Sequence, residues 1–165
     1  MIRILLACVV LLSACNKDYS EKDKSKIDET LTNWHQAAAK AEFDNYFGFL
    51  TDDAIFMGTD ATEHWNKEEF KKFSKPYFDR GRAWNFTALK RNIYFNKGSE
   101  LIWFDELLNT QMKLCRGSGV MVKQGDEWKI KQYVLSMTIP NALSDSIVVI
   151  KSNEEDQIIE QLKTK

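Results

Sequence analysis

Leu101-Ile102-Trp103-Phe104-Asp105-Glu106, Cys115-Arg116-Gly117-Ser118-Gly119-Val120-Met121-Val122-Lys123 and Glu127-Trp128-Lys129-Ile130-Lys131-Gln132-Tyr133-Val134-Leu135-Ser136-Met137 form three apolar-rich runs separated by short polar breaks. Turns near Asn109 to Met112 and at Gln124-Gly125-Asp126 make an antiparallel meander the simplest reading. In the last run Lys129 and Lys131 alternate with Trp128, Ile130, Gln132 and Val134, which assigns the second set to the interior face. Leu101 to Phe104 is apolar at every position, and a strand buried on both faces needs cover for each. Helices upstream supply one cover. A second copy of the sheet supplies the other, so a homodimer through the outer sheet face is expected.

Working back from the meander, Ile27, Leu31, Trp34 and Ala38 recur at helical spacing, with Ser25 as a plausible N-cap. Phe43, Phe47 and Leu50 continue as a shorter helix that breaks at Thr51-Asp52-Asp53, and Ala54 to Gly58 reads as a short strand. Asn66 and Glu69 have capping-box spacing for a helix carrying Phe70 and Phe73, which Pro76 should end. Arg80-Gly81 turns into an aromatic strand over Ala83 to Phe95, and Asn96-Lys97-Gly98-Ser99 is a hairpin signal. Beyond Pro140, Leu143, Ile147, Ile150, Ile158 and Leu162 point to helical C-terminal packing, interrupted by polar Ser152 to Asp156. Helices first and a twisted sheet afterwards is an α+β arrangement: a cone-shaped curved antiparallel sheet wrapped by N-terminal helices.

The chain has 165 residues, room for one domain and its appendages. A net charge of -1 leaves no electrostatic footprint for nucleic acid. Arg3 and the apolar run Ile4 to Leu12 have the form of a signal segment, too short for the roughly 20 residues a membrane span needs. The run ends in Leu12-Ser13-Ala14-Cys15, which resembles a bacterial lipobox, so Cys15 is the expected lipid attachment site. A plain signal peptide with an ordinary Cys15 thiol is the alternative. The division expected is thus residues 1–15 as signal, 16–24 as a flexible tether, 25–141 as the domain and 142–165 as a helical tail. The protein should sit in the bacterial cell envelope, on the periplasmic side or the outer surface, held to the membrane by lipid. Cys115, left without a partner once Cys8 and Cys15 are accounted for, offers no disulfide framework.

Candidate chemistry depends on strand register. With the hairpin turning near Thr110-Gln111, Asp105 lies across from Arg116 and Trp103 lies near Ser118. Asp105, Arg116, Ser118 and Gln132 then cluster in an aromatic interior, where Asp105 could act as a base and Arg116 or Gln132 could polarise an oxygen. The same residues also read as a cross-strand ion pair that only fixes register. Gly58 to Trp65 brings Asp60 and Trp65 to the pocket mouth, or else forms a turn in which Asp60 accepts backbone N–H bonds and Trp65 plugs the core. Phe56, Trp84 and Trp103 are the aromatic residues expected to line the hollow. His35 and His64 are too separated to make a metal site, and Asp52-Asp53 lacks the ligand count for calcium. Gly117-Ser118-Gly119 lacks the rest of a dinucleotide fingerprint and more naturally serves close packing or a bulge, so no cofactor is expected.

Phe56-Met57-Gly58-Thr59-Asp60, Trp103-Phe104-Asp105-Glu106, Arg116-Gly117-Ser118-Gly119-Val120 and Trp128-Lys129-Ile130 resemble, in this order and over roughly Ile27 to Asn141, the SnoaL-like branch of the nuclear transport factor 2 superfamily. The resemblance implies a cone-shaped, cystatin-like α+β barrel, usually dimeric. Ketosteroid isomerase, polyketide cyclases, dehydratases and non-catalytic binding or scaffolding domains share that fold, which by itself assigns no activity. Three functions therefore stand: binding of a small, partly apolar molecule, proton-transfer isomerisation or cyclisation in the same pocket, or a structural module with a filled cone.

Overall fold

The computed structural model describes residues 21–164 apart from Lys97 and Ser99. The signal segment, the lipobox and most of the expected tether lie outside these residues. The elements are α1 (Glu21–Ala39), α2 (Phe43–Gly48), β1 (Leu50–Met57), β2 (His64–Asn66), α3 (Lys67–Asp79), β3 (Thr87–Phe95), β4 (Leu101–Thr110), β5 (Lys113–Gln124) and β6 (Glu127–Met137). A short 3-10 turn (Asn141–Leu143) leads into α4 (Ser144–Lys163). The architecture is α+β, with a curved six-stranded sheet in the order β2-β1-β6-β5-β4-β3. The meander β3 to β6 is antiparallel, whereas β1 joins β6 in parallel, so the sheet is mixed.

The inner face holds the core. Burial on β4 alternates strictly, with Ile102, Phe104, Glu106, Leu108 and Thr110 inside. Against this face α1 lays Ile27, Leu31, Trp34, His35 and Ala38, residues spaced to fall on one side of a helix. The Trp34 ring meets the Tyr133 ring edge-on at 4.7 Å, joining α1 to β6. The capping box at α3 forms as its spacing predicts: Glu69 N–H donates to the Asn66 side chain at 3.0 Å, and Asn66 N–H donates to Glu69 Oε2 at 2.9 Å.

Several expectations are corrected by the fold. α1 begins at Glu21, so Ser25 lies inside the helix and residues 21–24 are helical rather than tether. Pro76 sits within α3, which runs on to Asp79; Gly81 at φ +71° then turns the chain. The aromatic strand starts at Thr87, and residues 82–86 instead form an irregular stretch beside the sheet. α4 is one unbroken helix across Ser152 to Asp156, and none of its residues is buried.

The register also differs from the sequence reading. Asp105 faces Ser118, Leu107 faces Arg116 and Trp103 faces Val120. These residues share a face, but it is the outer one: Trp103 is 45% exposed and stacks on Tyr94 at 5.8 Å. Glu106, one residue along, takes the inner position. On β6 the alternation breaks because Val120 pairs with Gln132 while Met121 pairs with Ile130, leaving Lys131 as an extra residue. That bulge reverses the phase of the strand. Trp128 and Ile130 point inward before it, Tyr133 and Leu135 after it, and Gln132 and Val134 are turned to the outer face.

Candidate functional site

Two features occupy the inner side of the sheet: a buried ionic cluster and, adjoining it, an aromatic cavity. The cluster centres on Glu106, which β4 carries into the core with no exposed surface. Its Oε1 lies 2.8 Å from His35 Nε2 on α1 and accepts from the Tyr133 hydroxyl at 2.8 Å. Its Oε2 accepts from Arg91 Nε at 2.9 Å, and Arg91 Nη2 sits 2.8 Å away as an ion-pair contact. Arg91 is Glu106's cross-strand partner on β3. Its Nη1 donates to Asp28 Oδ1 at 2.7 Å and to Thr32 Oγ1 at 3.1 Å, tying the sheet to α1.

Burial pushes the Glu106 carboxyl up, but the His35 hydrogen bond, then the His35 and Arg91 charges, outweigh it and hold the group below its ordinary value. The Tyr133 phenol is driven well up by burial, with the Glu106 charge acting in the same direction. Glu106 is therefore an ionised carboxylate with both oxygens engaged. A Cβ at Gly117, which faces Glu106 across the strands, would fall 2.1 Å from the Tyr133 hydroxyl oxygen, so only glycine admits this packing.

The cavity encloses about 580 Å³. Phe56 and Gly58 at the end of β1, Glu63 and Trp65 at β2, and Phe70, Phe73 and Tyr77 of α3 form part of its wall. The segment Arg82 to Phe86, the β4–β5 turn at Gln111 and Met112, Leu135 of β6, Ala39 and Thr59 complete it. The rings support one another. Phe56 stacks on Phe70 at 3.9 Å, and Trp65 stacks on Phe73 at 4.3 Å and on Phe70 at 5.6 Å. Phe56 also stacks on Tyr133 at 5.6 Å, and Phe86 meets His35 at 5.8 Å. The ionic cluster thus lies one ring behind the cavity wall.

Of the residues singled out from sequence, Phe56, Trp65 and Trp84 line the cavity together. Asp60 does not. It is exposed and accepts from Thr62 N–H at 2.8 Å and from the Thr62 hydroxyl at 2.6 Å, bonds that hold its carboxyl below the ordinary range. Glu63, three residues on, is the carboxylate in the wall, and its Oε2 accepts from Asp60 N–H at 3.2 Å. Trp103, Asp105, Arg116, Ser118 and Gln132 gather on the outer face, away from the cavity. There Asp105 accepts from Asn92 Nδ2 and the Tyr94 hydroxyl, each at 3.0 Å. Cys15 falls outside the described residues. His35, Arg91, Glu106 and Tyr133 were not among the candidates, although Glu106 shares the phase of Ile102, Phe104 and Leu108, and His35 lies eight positions after Ile27 on the buried stripe.

The sequence profile of the SnoaL-like domain matches residues 27–140. No curated protein matches the chain. Among solved structures, an NTF2-like protein of unknown function from Pseudomonas putida KT2440 superposes with a TM-score of 0.63 at 13% identity, over 75% of this chain and 92% of its own. A candidate scytalone dehydratase from Novosphingobium aromaticivorans gives 0.62 at 11% identity, over 72% and 86%. The association domain of C. elegans CaMKII gives 0.59 at 17% identity, over 71% and 97%. At these identities the likeness establishes the fold alone.

Proposed function

The chain belongs to the SnoaL-like domain family, and we propose that it is a binding protein holding a small, partly apolar molecule in the aromatic cavity. The observation that carries this is the wall. A hollow of about 580 Å³ has the size of a ligand pocket and is built from mutually stacked rings with few polar groups. A cone filled by its own side chains would leave no such space. The deeply buried carboxylate, Glu106, is saturated by His35, Tyr133 and Arg91, which favours holding a ligand over transforming it. Glu63 favours the second reading, a proton-transfer isomerase or cyclase, because it brings a half-buried carboxylate to the wall.

In this account the protein works as a homodimer joined through the outer sheet face, where Tyr94, Leu101 and Trp103 are exposed. That a structural relative is an association domain supports such pairing. It is anchored by lipid at Cys15 to a membrane of the bacterial cell envelope, a reading supported by Leu12-Ser13-Ala14-Cys15. The function is tested by a thermal-shift screen of small metabolites on the purified protein. Apolar, ring-bearing compounds should raise the melting temperature, and a screen in which none does so overturns the binding reading.

A further inference from the structure

A second recess, of about 260 Å³, adjoins the aromatic cavity and is lined by Arg82, Asn85, Thr87, Asn109, Thr110 and Gln111. Arg82, Asn85 and Gln111 belong to both walls, so the two spaces meet at these residues. Their chemistry is opposed. Aromatic rings dominate the first, whereas every side chain lining the second is polar.

Arg82 is the charged residue of the recess wall. Among the described residues its guanidinium has no ion-pair partner, unlike Arg91, which pairs with both Glu106 and Asp28. The cavity's carboxylate, Glu63, takes no part in the recess and is folded back on Asp60 N–H. Thr110 is fixed as well, since its hydroxyl donates to Lys113 O at 3.0 Å and accepts from Met112 N–H at 2.9 Å. An unopposed guanidinium flanked by two side-chain amides suits a carboxylate, sulfonate or phosphate group.

We propose that the ligand is amphipathic, with a flat apolar body in the aromatic cavity and an anionic group held by Arg82 where that cavity opens into the polar recess. This rests on the binding function proposed above and adds the class of head group. Asn85 and Gln111 complete the hold on the anion through their amide N–H groups.

Two probes with one aromatic body separate the claims: 8-anilinonaphthalene-1-sulfonate and its uncharged counterpart N-phenyl-1-naphthylamine, titrated against the full chain by fluorescence. Arg82→Gln should weaken the sulfonate about tenfold, the worth of one charge-assisted hydrogen bond at a wetted rim. The neutral probe should lose much less in the same variant, since Arg82 offers it only wall contact, and Arg82→Lys should restore most of the sulfonate's loss. Ala83→Trp, which fills the cavity wall, should remove both probes. Unchanged sulfonate affinity in Arg82→Gln, or sulfonate binding that survives Ala83→Trp, overturns the anion site while cavity binding of the neutral probe still stands. Saturation by neither probe overturns the binding function itself.

Discussion

Tyr133 and His35, from β6 and α1, converge on the same oxygen of Glu106 at 2.8 Å each. The other oxygen faces Arg91 of β3, so one carboxylate links the first helix to strands on both sides of β5. Buried charges at such a junction are costly to desolvate, and their stability depends on every partner staying in place.

Removing one donor should therefore be felt. Tyr133→Phe is expected to cost about 1.5–3 kcal/mol in urea unfolding, the worth of a buried hydrogen bond to a charged group. Glu106→Gln, which removes the buried counter-charge of Arg91 and leaves it only the more exposed Asp28, should cost about 3–5 kcal/mol. Asp105→Asn, on the outer face, should stay within about 0.5 kcal/mol. A reversed order between Glu106→Gln and Asp105→Asn would contradict the register of β4.

Glycine at 117 is required by the same junction. Gly117→Ala would bring a methyl group 2.1 Å from the Tyr133 hydroxyl oxygen and 3.0 Å from Glu106 Cγ. Loss of about 2 kcal/mol or more is expected on unfolding, from overpacking against a fixed network. Gly125→Ala, with open space around its Cβ but φ at +61°, should cost only the backbone strain of about 1 kcal/mol.

Acid should act through Glu106. Its folded-state value lies below the ordinary 4.5, so its stabilisation is complete above that pH and fades as pH falls through the folded value. The stability difference between the wild type and Glu106→Gln should accordingly be constant near neutrality and narrow on acidification below about pH 4.5. A difference that stayed flat down to pH 2 would mean that the carboxylate gains nothing from its partners.

The outer face gives a separate prediction. Trp103 and Tyr94 stack in the open, and covering them is the proposed role of a second copy. Sedimentation equilibrium at micromolar concentration should find a dimer, and Trp103→Glu should yield a folded monomer. A wild-type monomer would remove the pairing.

The sequence was informative wherever a pattern was local. The stripe from Ile27 to Ala38, the Asn66–Glu69 capping box and the meander all follow from spacing. Phe56, Trp65 and Trp84 do line the cavity, but Trp84 reaches it from the irregular stretch before β3 and not from the strand expected over Ala83 to Phe95. The parity of β4 has no local signal. Leu101 to Phe104 is apolar at every position and fixes no phase, so Asp105 and Glu106 compete for the interior on equal terms. The buried alternation settles it for Glu106. On β6 the alternation of Lys129 and Lys131 points Gln132 inward, but the bulge at Lys131 breaks that phase and turns Gln132 out. His35 lies on the buried stripe, but its partner is 71 residues away, beyond any local pattern.

The most direct test of the account is a titration of purified protein with N-phenyl-1-naphthylamine, followed by probe emission and by the fluorescence of Trp65 and Trp84 in the cavity wall. Saturable binding of one probe per chain is predicted, abolished by Ala83→Trp and indifferent to Trp103→Glu. Binding that survives Ala83→Trp and disappears in Trp103→Glu would place the apolar site on the outer face and contradict the cavity.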